Sequence, residues 1–132
     1  VAYAYEWAVL RLVPRVERCE FVNVGVLVYC QGLNYLGAQT TDDFSRALAL
    51  DSSVDVDTAR RHLQAVRALC AGEASAGVNA TRSAGDRFRW LVAPRSTVLQ
   101  TSPVHTGLSS SPAATLDELF NQMVAAPTSA GG

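Results

Sequence analysis

Residues 3–13 read YAYEWAVLRLV and residues 21–30 read FVNVGVLVYC, and these two stretches decide the fold. In the first, Tyr3, Tyr5, Trp7, Val9 and Val13 alternate with Ala4, Glu6, Ala8, Leu10 and Leu12. Aromatic and β-branched residues at period two predict a strand, and Pro14 ends it because proline cannot donate to a ladder. In the second, Val22, Val24, Val26 and Val28 are expected to share one face, with Asn23 and Gly25 on the other. A polar connector, residues 14–20, joins the two strands. A turn signal at Gln31–Asn34 and a third strand over 35–40 complete an antiparallel meander.

Helices follow. Residues 42–50 form a short candidate with Phe44, Ala47 and Leu48 on one side. Residues 57–71 carry the clearest helical spacing, in Ala59, Leu63, Val66, Leu69 and Cys70. Asp55 or Asp57 caps the start, Asp57 pairs with Arg61, and Gly72 suits the exit. Residues 73–85, rich in Gly, Ala, Ser and Asn, read as a surface loop. Residues 86–93 fit a helical turn through Phe88, Leu91 and Val92, or a strand through Phe88, Trp90 and Val92. The alternating spacing makes Phe88 and Trp90 core residues. Residues 96–101 read as a strand that pairs with the first one. Pro112 opens a last helix with a stripe of Leu116, Leu119, Phe120, Met123 and Val124, and Pro127 stops it. The expected architecture is α+β: a small antiparallel sheet, made of the three-strand meander plus a late strand, covered by helices on one face. Residues 1–127 form one domain and residues 128–132 a disordered tail.

The chain has 132 residues, 48% of them apolar and 17% charged, which is a globular composition. A net charge of −1 selects neither nucleic acid nor membrane as a partner. All eleven basic residues are arginine. Without lysine the chain has no Schiff-base or P-loop lysine chemistry. Arginine usage and abundant alanine read as GC-rich coding, which points to an actinobacterial-type source. Three cysteines at wide spacing are neither a disulfide framework nor a zinc site. Cys70 reads as a core residue and Cys19 as a turn residue. The longest apolar run, Val24 to Cys30, is too short to span a bilayer, and no leader pattern opens the chain. A cytoplasmic protein without a cofactor is the expectation. Among residues 82–95, Arg87, Arg89 and Arg95 read either as a solvated face or as an anion-facing patch.

Two segments carry a resemblance. The first runs from Tyr5 to Tyr29, YEWAVLRLVPRVERCEFVNVGVLVY. The second runs from Arg87 to Gly107, RFRWLVAPRSTVLQTSPVHTG. Together they resemble a bacterial family known as domain of unknown function 3037. The resemblance implies no activity and supplies no catalytic positions. It suggests a neighbouring HipA-like serine/threonine kinase and so a protein partner.

The same segments hold the dense polar residues. Arg15, Arg18 and Glu20 crowd the first connector, and Asn23 and Gly25 follow inside a strand. Glycine in a strand marks a bulge or a close approach, either of backbone or of a ligand. Arg95, Ser96 and Thr97 at the start of the late strand suit a phosphate or carboxylate, or else Arg95 pairs with a carboxylate of the chain, such as Glu6, Glu17 or Glu20. His105 is the one plausible proton shuttle, or a turn residue. Ser96, Ser102 and His105 could also stand as nucleophile and base. No nucleotide-loop, zinc-protease or serine-hydrolase signature is present. The leading reading is therefore a non-enzymatic protein-interaction or regulatory module, with a kinase-like partner. The alternative is an enzyme or sensor for an anionic small ligand, in which Arg15, Arg18, Glu20, Asn23, Arg95 and His105 converge in one cleft. Nucleic-acid binding through residues 82–95 is a weaker third.

Overall fold

Three antiparallel ladders meet on the first strand. Tyr3–Leu12 (β1) pairs with Val22–Cys30 (β2), which pairs in turn with Tyr35–Thr40 (β3). This is the N-terminal meander. On its other side β1 takes two short strands end to end. Leu99–Thr101 (β4) lies opposite Leu10–Leu12, and His105–Ser109 (β5) lies opposite Tyr3–Trp7. The late segment thus pairs with the first strand, as the sequence suggests, but it supplies two strands rather than one. Pro103 falls between them, where a missing N–H costs no ladder bond. This computed structural model describes residues 1–95 and 97–125. The expected domain end at 127 and the tail 128–132 lie outside the described residues.

The register corrects the expectation for β2. Leu10 lies opposite Gly25 and Arg11 opposite Asn23, so Val24 is the extra residue of a β-bulge. One extra residue exchanges the two faces of the strand. Val26 and Val28 pack with Leu116 and Leu119, whereas Val24 joins Leu27, Leu10 and Leu12 on the opposite side. The four valines therefore do not share a face. Gly25 sits beside the bulge because a Cβ there would stand 2.8 Å from Leu10 Cδ1 and 3.0 Å from the Gln39 carbonyl oxygen. The space it leaves is filled by the chain's own strands.

Ser45–Leu50 (α1), Val56–Ala71 (α2) and Ala84–Val92 (α3) form one helical layer. Asp55 caps α2 by accepting the Thr58 N–H at 3.1 Å, and Gly72 ends it. Asp57 lies 3.7 Å from Arg60 rather than pairing with Arg61, which bonds the Thr58 hydroxyl instead. Residues 73–85 carry two short 3-10 turns, Ala74–Ala76 and Val78–Thr81. Residues 86–92 resolve as helix: Ser83 caps α3 by accepting the Asp86 N–H. Helical spacing buries Phe88 completely, stacked 5.3 Å from Tyr29, and turns Trp90 outward at 43% exposure. The strand reading that placed both in the core is thereby corrected. Full burial of Phe88 is worth about 1.5–3 kcal/mol.

Pro112–Met123 (α4) starts at the Ser111 cap and covers the other face of the sheet. The fold is α+β around an antiparallel sheet, with its helical cover divided between two faces. Apolar side chains stand on both sides of the sheet, Leu27 with the α1–α3 layer and Val26 and Val28 with α4, so the helical cover is not confined to the single face the sequence suggests.

Candidate functional site

Arg95 follows α3 at the Ala93–Pro94 exit. Its guanidinium stacks 4.0 Å over the Trp90 ring and donates to the Trp90 carbonyl. Thr97 stands nearby, its hydroxyl donating to the Leu99 carbonyl at 2.7 Å. These residues form one rim of a groove of about 660 Å³ between α2, the 3-10 turns, α3 and β4. Val66, Leu69, Leu91 and Leu99 make an apolar floor, and Arg61 and His62 form the opposite rim. No carboxylate is among the described residues that line it. The groove meets a smaller apolar crevice of about 160 Å³ at His62 and Leu99, and that crevice reaches Phe44 and Leu63.

Arg15, Arg18 and Glu20 are elsewhere. They border a polar bay beside residues 48–52 at the end of α1. Arg15 Nε donates to Asp51 Oδ2 at 2.6 Å, and Arg18 Nε donates to Glu20. The Ser53 hydroxyl and N–H, followed by Arg15, hold the Asp51 carboxyl down at about 2. The Glu20 carboxylate raises Arg18 above its ordinary value. This bay is a closed set of ion pairs, with each arginine answered by a carboxylate of the chain.

Asn23 lies on the α4 face, where its Nδ2 donates to the Met123 carbonyl at 3.0 Å. Arg46 reaches the next carbonyl, that of Val124. Both satisfy the open C-terminal end of α4. His105 stacks on Trp7 with centroids 4.6 Å apart, in β5 rather than in a loop. Ser102, buried, accepts the Val9 N–H at 2.8 Å and donates to the Pro103 carbonyl, so its hydroxyl is spent on the scaffold. Ser96 lies outside the described residues.

The expected convergence therefore fails. Arg95 and Thr97 share the groove; Arg15, Arg18 and Glu20 share the bay; Asn23 is on the opposite face of the sheet; Gly25 packs against Leu10; His105 packs against Trp7. Chain pairing brings the two segments together as strands, but alternation sends their polar side chains to different faces. The arginines of residues 82–95 also part. Arg87 Nη1 donates to the Leu69 and Cys70 carbonyls at 2.8 and 3.0 Å, capping α2, and Arg89 pairs with Glu6 at 2.8 Å. Arg95 pairs with none of Glu6, Glu17 or Glu20.

Cys70 is buried, and burial pushes its thiol up to about 12, while Cys19 is exposed. Among the described residues no group of three His, Cys, Asp or Glu side chains is placed to hold a metal. None of the described helices is long and apolar enough to cross a membrane.

The residues that sequence reasoning missed are Trp90, Arg61 and His62. Trp90 was legible in principle: once Ser83 is taken as a helix cap, Phe88 and Leu91 define the buried stripe and Trp90 falls off it.

No curated protein and no solved structure matches the chain in the comparisons made. A model of the family described as "Protein of unknown function (DUF3037)" matches residues 7–124. That match takes in all of the sheet but the first four residues of β1, the groove and α4, and the chain belongs to the DUF3037 family.

Proposed function

We propose that this domain is a protein-interaction module whose groove between α2 and α3 takes an acidic, amphipathic peptide segment of a partner protein. One observation carries the reading: Trp90 and Arg95 stand stacked and exposed on the rim of an apolar groove that none of the chain's described carboxylates lines. Tryptophan and arginine are enriched among the residues that dominate the energetics of protein interfaces, the first as a broad apolar surface and the second as a planar fork of donors. A guanidinium resting on an indole keeps donors free for a carboxylate. Arg61 on the far rim gives the same sign of charge. The floor of valine and leucine supplies the apolar half of recognition. A kinase-like protein, the partner class suggested by the family resemblance, suits this groove where it exposes such a segment.

The test is a selection of displayed peptides on the purified domain, followed by binding measurements with the recovered sequences. Recovered peptides are expected to combine acidic residues with aromatic or branched aliphatic ones. Trp90→Ala and Arg95→Glu should each weaken binding about thirtyfold or more, a hot-spot effect of about 2 kcal/mol. Both variants should keep the far-UV circular dichroism of the parent. Binding that both variants leave intact would reject the groove as the site.

A further inference from the structure

The groove leaves one edge of the sheet unexplained. β5 is the outermost strand beside the first half of β1, and among the described residues no strand pairs with its far side. Natural edge strands are guarded by charges, because an open row of N–H and C=O groups recruits other strands. Here the guard is missing: between Arg95 and Asp117 the sequence holds no Asp, Glu, Arg or Lys. Leu108, in the body of the strand, is 74% exposed.

The surface beside it has a complementary shape. Thr106 and Leu108 point to the same side of the sheet, the side of their ladder partners Glu6 and Ala4. On that side Thr106 forms the lip of an open hollow whose walls include Tyr3, Ala4, Glu6 and Tyr29. Glu6 contributes no unmatched charge to it, because its carboxylate already accepts from Arg89. The strand thus carries a leucine knob and, two residues away, the lip of a tyrosine-walled hole.

We propose that β5 pairs antiparallel with β5 of a second copy of this chain, about a two-fold axis at Gly107. In that register each Leu108 lies opposite the other copy's Thr106, at the rim of the hollow. Residues 105 and 109 face one another on the other side, and no charged side chains oppose. Gly107 brings no side chain to the axis, and a Cβ there would collide with the Tyr5 ring at 2.6 Å. An isologous contact of this kind needs a self-complementary patch, which the Leu108 knob on β5 and the hollow that begins at Thr106 provide. The two sheets join into one across the axis. This interface is independent of the groove, which lies beyond α3.

Sedimentation equilibrium of the full chain reads the outcome. The wild-type chain should sediment as a dimer at micromolar concentration. Leu108→Asp, at a position already in solvent, should raise the dimer dissociation constant by at least about a hundredfold, with unchanged circular dichroism. Trp90→Ala should leave it unaltered. In a Cys19→Ser background, mixing Thr106→Cys with Leu108→Cys chains under mild oxidation should give more linked dimer than either chain alone, which fixes the register. A wild-type chain that remains monomeric at the highest attainable concentration overturns the proposal. So does a Leu108→Asp chain that dimerises as well as its parent, or a mixture that cross-links no better than its components.

Discussion

Two clusters of arginines on this domain have opposite fates. In the bay, Arg15 meets Asp51 and Arg18 meets Glu20, so the charges are matched within the chain. In the groove, Arg95 rests on an indole and meets no carboxylate of the chain, Arg61 reaches Asp55 only through the Thr58 hydroxyl, and none of the described carboxylates lines the groove. Residue type is the same in both places, and what differs is whether the fold supplies the counter-charge. A matched cluster holds the chain to itself, whereas an unmatched one beside apolar surface leaves binding capacity for another molecule. Arginine content alone does not separate the two cases, and the pairing does.

The comparison breaks most severely from beneath the groove. Phe88→Ala removes the buried anchor of α3 and should cost about 3–5 kcal/mol in denaturant unfolding, taking the groove wall with it. Trp90→Ala, two residues on and on the solvent-facing side of the same helix, should cost under about 1 kcal/mol while abolishing peptide capture. Comparable losses from the two substitutions would mean that Trp90 serves the core.

A smaller effect separates scaffold from site in the second motif. Ser102→Ala leaves the Val9 N–H without its hydroxyl partner and should cost about 1–3 kcal/mol in the same unfolding measurement, with groove binding unaltered.

The smallest effect sharpens the bay. The Asp51 carboxyl lies at about 2 in the fold against an ordinary 3.8. A depressed carboxylate contributes stability that is complete above the ordinary value and is lost as pH falls through the folded one. Thermal melts should therefore show a decline between those two values that Asp51→Asn removes. A wild-type profile that Asp51→Asn reproduces throughout would show that the Ser53 and Arg15 bonds to Asp51 add nothing to stability.

Much of the fold was legible because it rests on local chemistry. Period-two apolar residues mark β1, the Asp55 cap and Gly72 exit mark α2, and Pro112 marks α4. Gly25 signalled a bulge or a close approach, but that Val24 is the unpaired residue was not legible, since its place is a property of two strands together. β5 was hidden for another reason: Val104–Gly107 lacks a β-branched run, and its strand is made by pairing with β1. The site was only half visible. Arg95 and Thr97 stood out as an arginine with a hydroxyl near a strand start, and they do lie together. Their partners Trp90, Arg61 and His62 come from two helices, and only packing brings them to one rim. Asn23, Gly25 and His105 looked chemical because polar or small residues in strands are uncommon. Each proves to satisfy a helix end, a close strand approach or an aromatic stack.

The unmatched groove is tested most directly by fluorescence titration of a Trp7→Phe chain, in which Trp90 is the sole indole, with a selected acidic peptide. The account predicts a saturable change in Trp90 emission, with affinity that falls as salt rises and is lost in Arg95→Glu. Saturable binding of the same peptide with Trp90 emission unmoved, and with Arg95→Glu equal to its parent, would contradict it.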